Sequence, residues 1–454
     1  MSTTLDDETP SLRHDPYAPW RIGPYRLFAS SFALAVIGSQ IFATTVLWQV
    51  YELTKDPLKV GYIGLLNIIP VLCLGLFAGQ LADRVSRKKI LISTQFLISL
   101  CPATLAWLIH RHPHWPLALP VTYLIVLLNA IALSFGRPAR ASIMPTLVPK
   151  EIFGLAATWN ASLFETASIT GPAIGGLIIA GLGVPAALWI SSGATALTVA
   201  LTMFLPDLRL QRSPEPISLR SLSAGIRFVY RVKLLLAMMT LDLLAVLFGG
   251  ATALLPFFAE RLGTGSAGFG FLKAAPSIGA VTMAVYLAHA PPMKRAGRWL
   301  ICALMGYGVA TIVFGLSQSY ALSLLMLAVT GAADNVSVVI RHTLVQTLTP
   351  DSMRGRVSSV NQIFIASSNE LGTLESGAVA KLFGPVFAVV SGGVGAILTV
   401  IGVVLLWPDI KRLGKLSDVQ ESARDEEEID PMETVVPASK LDVDGKAKLE
   451  IGRG

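Results

Sequence analysis

Charged side chains are what this chain has least of. Asp, Glu, Lys and Arg make up 14% of its 454 residues, while 53% are hydrophobic. A soluble domain carries about a quarter charged residues, so a water-soluble globular chain is excluded and one living largely in lipid is implied. Cysteine is nearly absent, and Cys73, Cys101 and Cys302 all fall inside apolar runs, which excludes a disulfide framework. No G-x-x-x-x-G-K-[S/T] phosphate loop occurs, so ATP is not the expected energy source. No nucleophile signature occurs either; an enzyme is not expected, and no cofactor is. His110, His112 and His114 alternate beside Trp115, but a solvated loop explains them and no metal site is assigned. The first 24 residues are polar, with Asp6, Asp7, Glu8 and Asp15, and lack the apolar core of a cleavable secretory signal.

Apolar runs of helical length are what the chain has instead. They lie at 27–52, 58–82, 89–110, 117–136, 151–181 and 184–205, then at 234–259, 267–289, 298–317, 320–340, 355–383 and 385–407. Each holds about twenty residues or more, enough to cross about 30 Å of hydrocarbon. The expected fold is therefore an all-α membrane protein of twelve transmembrane helices. Its parts are a cytoplasmic segment 1–26, a six-helix bundle 27–205, a linker 206–233, a second bundle 234–407 and a disordered cytoplasmic tail 408–454. The linker holds Pro214 and Pro216. It then reads SLRSLSAGIRFVYRVK, with Leu219, Leu222, Ile226 and Val229 at helical spacing and arginines between them, an amphipathic helix lying on the cytoplasmic face or a plain linker helix, either being compatible with transport.

The net charge of +7 does not point to nucleic acid, because the cations sit between apolar spans. One set of loops holds Arg84, Arg87, Lys88 and Lys89, then Arg137, Arg140 and Lys150, the linker arginines, Lys294, Arg295 and Arg298, and Arg341, Arg354 and Arg356. The opposite set holds only Lys55, Lys59, Arg111, Arg261 and Lys381. Cations accumulate on the cytoplasmic side, so both termini are expected there.

The two halves repeat. An ungapped shift of 201 positions brings Arg140 onto Arg341, Thr146 onto Thr347, Pro149 onto Pro350, Asn160 onto Asn361, Gly171 onto Gly372 and Gly176 onto Gly377. A shift of 206 aligns Gly64 with Gly270 and Pro70 with Pro276. Parallel repeats of this kind build transporters whose halves are related by an axis along the membrane normal.

Ionisable groups inside the spans are Glu165, Asp242, Lys273, Asp334, Glu370 and Glu375. Each charge at mid-bilayer costs about 2.5–3.5 kcal/mol. The acids must therefore face water, pair with Lys273 or one another, or hold a proton. All five acids are candidates for proton coupling, and Glu165 and Glu370 are alternatively ion-pair partners of Lys273. Gln40, Asn67, Asn129, Lys273 and Asn335 are candidate cavity contacts, or else polar helix–helix contacts.

The stretch GQLADRVSRKK (79–89) resembles the loop 2–3 signature of the major facilitator superfamily. Gly79, Leu81, Asp83, Arg84, Arg87 and Lys88 match, and Ser86 stands at the usual second glycine. ITGPAIGGL resembles the superfamily's antiporter signature in helix 5 through Gly171, Pro172, Gly175 and Gly176, with Ala167 in place of an earlier glycine; close packing is its plainer meaning. WQVYELTKDPLKVGYIGLL, RPARASIMPTLVPKE and HTLVQTLTPDSMRGRVSSVNQ are similar to the bacterial exporter branch that includes enterobactin exporters and macrolide efflux pumps.

The resemblance implies the major facilitator fold of two pseudo-symmetric six-helix bundles. Helices 1, 4, 7 and 10 would line the cavity, favouring Asp242 and Asp334 for coupling, and helices 2, 5, 8 and 11 would form the interface. It implies a monomeric inner-membrane exporter of a small molecule, siderophore or drug, driven by protons. It also implies a conformational latch in which Asp83, with Gly79, Arg84, Arg87, Lys88 and Arg140, meets the positive start of helix 11. Many relatives carry an arginine midway along helix 4, where this chain has Asn129. An importer or uncoupled facilitator of the same fold, or a non-transporting sensor, stays open from the sequence.

Overall fold

A computed structural model describes residues 15–112, 117–206, 219–291, 293, 295–408, 410 and 414; of residues 76, 79, 80, 82–84, 219–222, 351 and 352 it describes the backbone alone. His114, Lys294, most of the linker before Leu219 and most of the tail lie outside these residues.

Among the described residues the chain is helical, without strands. It runs through α1 (Gly23–Thr54), α2 (Pro57–Arg84), α3 (Arg87–Arg111), α4 (Ala118–Leu147), α5 (Phe153–Met203), α6 (Leu219–Arg231) and α7 (Lys233–Gly249). It continues through α8 (Leu255–Arg261), α9 (Gly265–His289), α10 (Ala296–Leu316), α11 (Tyr320–Thr347), α12 (Asp351–Phe383) and α13 (Pro385–Leu406). Among the described residues, ten helical stretches are long and apolar enough to cross a membrane. One of them carries two spans, because Gly183 in α5 turns the chain at φ 83° and Pro185 restarts it. The charge-bearing α12 completes the twelve expected. Gly384 (φ 92°) and Pro385 make the matching turn between α12 and α13, 201 residues after Gly183. Only glycine adopts such angles without strain, so the repeat extends to these two turns.

The structure differs from expectation in four places. The seventh span is not one helix: α7 stops at Gly249, Gly250 is extended, and α8 resumes after one 3₁₀ turn, Thr252–Leu254. The Tyr307 ring occupies the space a side chain at Gly249 would need, and Ser376 donates a hydrogen bond to the Gly250 carbonyl, satisfying the freed backbone. Secondly, α4 and α11 outrun their apolar stretches, so Arg137, Arg140 and Arg341 belong to helices rather than loops. Thirdly, Val229 of the linker helix is buried against protein, in a core with Leu235, Val357 and Val360, instead of facing lipid. Finally, the tail does not leave the fold at 408: Ile410 is fully buried in that same core, and the Gly414 carbonyl accepts the Ala296 N–H at 3.2 Å.

The halves meet through α2 against α12 and α5 against α9. A Cβ on Gly176 would lie 2.7 Å from the Gly270 Cα, and one on Gly377 would lie 3.0 Å from the Gly61 Cα, so both crossings bring backbone onto backbone. Toward the end bearing Lys55, a single apolar core draws from both halves, including Trp48, Tyr51, Leu254, Phe258 and Phe269. Toward the end bearing α6 (the linker end), the cores separate. One belongs wholly to the second half and three small ones wholly to the first. A Cβ at Gly75 of α2 or Gly355 of α12 would meet nothing within 4 Å. Among the described residues, one core shared by both halves lies at the Lys55 end, and no core is shared at the linker end.

Candidate functional site

Midway along the interface, polar side chains of the second half cross to the first. Lys273 of α9 donates from Nζ to Thr44 Oγ1 of α1 at 3.1 Å, and the buried Thr44 hydroxyl donates in turn to the Gln40 carbonyl at 2.7 Å. Glu370 of α12 accepts from Asn67 Nδ2 of α2 at 3.3 Å. Lys273 and Thr44 thus meet beside the Gln40 backbone, and Asn67 meets Glu370. In place of the ion pair that was one alternative for Lys273 and Glu370, each of the two reaches a neutral partner on the opposite half. Close approach makes this layer possible. Gly171 lies against the Gln40 side chain and Gly175 against the Ile41 backbone and Thr44, which seats α1 tightly on α5.

The other intramembrane acids divide. Asp242 of α7 forms an ion pair with Arg341 of α11, both side chains being almost wholly buried. A lone buried charge of either sign would be prohibitively costly, and each supplies the other's counter-ion. Asp334 sits half-buried on α11 facing Tyr307, and the neighbouring Asn335 has a buried Oδ1 without a partner. Among the described residues, Glu375 accepts only a 3.4 Å contact from Ser376, and the half-buried Glu165 makes no hydrogen bond or ion pair. Asn129 points elsewhere, buried inside the first half beside Cys101 of α3.

Of the loop-signature residues, Arg87 donates to the Ser142 carbonyl at 2.9 Å and Lys88 to the Leu205 carbonyl at 2.6 Å, binding the start of α3 to the ends of α4 and α5 within one half. Arg140 lies over the Phe32 ring at 5.3 Å. Gly79, Asp83 and Arg84 are described as backbone only, at the end of α2.

The Lys55 end carries a clasp that sequence reasoning missed. Lys55, at the left-handed end of α1 (φ 47°), reaches Glu260 of α8 at 3.3 Å. The adjacent Asp56 accepts the Leu58 N–H at 3.1 Å through Oδ1, capping α2, and takes Lys381 of α12 at 2.7 Å through Oδ2. Burial would raise the Asp56 carboxyl, but the Lys381 hydrogen bond, the Leu58 N–H and the Lys381 and Lys59 charges hold it below the usual range. Trp48 stacks on Phe269 at 5.6 Å and Tyr51 meets Phe257 edge-on at 4.6 Å behind it. Thr44, Glu260 and Lys381 lie in no motif or repeat, and although Lys55 and Asp56 fall in the stretch WQVYELTKDPLKVGYIGLL, nothing there names their partners. Arg341 did leave a signal, through its alignment with Arg140 and the need of Asp242 for a cation.

Known proteins with the same pattern are membrane transporters. Residues 14–433 match the family described as transmembrane secretion effector. The enterobactin exporter EntS of Escherichia coli O1:K1 / APEC is 27% identical over 378 residues, covering 82% of this chain and 88% of the exporter. The protein of the same name from Shigella boydii serotype 18 matches equally. Solved structures with this fold include a D-xylose–proton symporter (TM-score 0.65, 13% identity, 83% of this chain and 96% of that one). Another is a bacterial homologue of the lysosomal transporter Spinster (TM-score 0.63, 13% identity, 90% and 97%).

Proposed function

The chain belongs to the transmembrane secretion effector family, within the major facilitator superfamily, and on that premise we propose that it exports a small molecule across the bacterial inner membrane by proton antiport with alternating access. The carrying observation is the layer of Lys273, Thr44, Asn67 and Glu370, lying across the interface between the end with a shared core and the end without one. The cation-rich linker end faces the cytoplasm, with both termini, so substrate loads from the cytoplasm in this conformation. Gln40, Asn67, Lys273 and Asn335 contact it. The monomer holds the whole layer.

Asp334 and Glu370 carry the proton in this reading, with Glu165 and Glu375 as further carriers, because none of them has a cation within ion-pair distance among the described residues; Asp242 is occupied by Arg341. When the linker end shuts, Asp83 docks on the first turn of α12 and completes the latch. The substrate class is a siderophore or drug-like compound, as for the curated relatives' enterobactin.

Inside-out vesicles test this. Uptake of a catecholate chelator or a macrolide that requires an imposed pH gradient, and is lost in Glu370→Gln, supports it. Flux that ignores both pH gradient and voltage refutes the antiport.

A further inference from the structure

The linker helix α6 shows two faces, and the fold uses only one. Its inner face is docked: a Cβ on Gly225 would lie 2.9 Å from the Arg356 carbonyl of α12, and Val229 is buried beside Val357 and Val360. Its outer face presents Ile226 at 38% exposure and Tyr230 at 66%, between the exposed Arg227 and Arg231. No carboxylate pairs with either arginine among the described residues. Arg227 makes only a 3.4 Å contact to the Ser223 carbonyl of its own helix. Residues 219–233 contain no acid, and Lys233 follows at the start of α7. The helix also sits at a definite depth, against the first turns of two membrane spans, α7 and α12. Cations, an aromatic and an aliphatic side chain at that level match a headgroup layer of negative charge.

We propose that the outer face of α6 is a docking surface for anionic phospholipid headgroups, with Arg227 and Arg231 taking the phosphates and Ile226 and Tyr230 resting at the acyl boundary. The proposal goes beyond the transport reading and does not depend on it, since binding is measured without flux. Its consequence is mechanical: α6 holds the opening turns of α12, the helix that crosses to the other half through Glu370.

The test uses the full chain in detergent, titrated with short-chain phosphatidylglycerol or phosphatidylcholine and read by native mass spectrometry. Wild type should bind phosphatidylglycerol in preference. Arg227→Gln/Arg231→Gln should weaken that binding by roughly twenty-five-fold, about fivefold per arginine, leaving phosphatidylcholine unchanged. Arg227→Lys/Arg231→Lys should stay within about threefold of wild type, because near-surface attraction depends on the cation rather than the fork. Unchanged phosphatidylglycerol binding in the Gln variant overturns the proposal. So does equal loss in the Lys variant, or displacement of the lipid by millimolar inorganic phosphate, which would mark a site for small anions.

Discussion

Removing the charge of Asp56 isolates what holds the Lys55 end shut. Asp56→Asn keeps the α2 cap, since asparagine caps as well as aspartate, and deletes only the ionic contact with Lys381. The Asp56 side chain is 15% exposed and Lys381 51%, so solvent screens one partner. An exposed pair contributes about 0.2–1 kcal/mol, and burial of Asp56 puts this one near the top, about 1 kcal/mol. That is roughly a fivefold fall in the ratio of shut to open molecules. Lys55 and Glu260 are exposed on both sides, so Glu260→Gln should shift it by less than about twofold. The assay is the alkylation rate of Ala253→Cys, fully buried in the shared core, in a chain whose Cys73, Cys101 and Cys302 are serine. Asp56→Asn and Lys381→Gln should each speed labelling, and Asp56→Lys/Lys381→Asp should return it toward the parent rate. Equal rates in all four would refute the clasp. Because the Asp56 carboxyl is held below its usual range, its charge is complete at neutral pH and is lost only as pH falls through that lowered value. The ratio of the Asp56→Asn labelling rate to the parent rate should therefore stay constant from about pH 6 to pH 8, since the rise in thiolate with pH is common to both chains.

Asp242→Asn leaves Arg341 buried without a counter-ion and should destabilise the protein by about 3–5 kcal/mol, whereas Asp242→Asn/Arg341→Gln should recover most of it, both read by thermal unfolding in detergent. A stable single variant would argue against a structural pair. Gly176→Val forces α5 off α9 and should cost about 1–3 kcal/mol while speeding Ala253→Cys labelling; Gly75→Val, in open space, should do neither. Thr44→Val removes the acceptor of Lys273 and should lower transport with little change in unfolding temperature. Thr44→Ser should retain it. Equal activity of the two would show that the hydroxyl does not position Lys273.

The number of spans was legible because hydrocarbon thickness sets one length scale, and the repeat because Gly176 and Gly377 occupy equivalent crossings where nothing larger fits. The break at Gly249–Gly250 was not, since an apolar run looks alike whether its backbone bonds within the helix or to Ser376. Arg341 read as a loop cation because charge counts assign side chains by sequence neighbours, while its partner Asp242 lies 99 residues away. Asp242, Lys273 and Glu370 were visible as costly residues, but their pairing was not: it depends on which turns of α1, α2 and α11 face them. The clasp was hidden because surface Lys and Glu carry no periodicity.

The turns at Gly183 and Gly384 leave no slack between the spans they join. Whichever way a half swivels, its outermost helix must lean with the one before it, and the surrounding lipid must yield to that tilt. In the proposed alternating-access cycle, bilayer thickness then enters the rate directly, at fractions of a kcal/mol per ångström of mismatch.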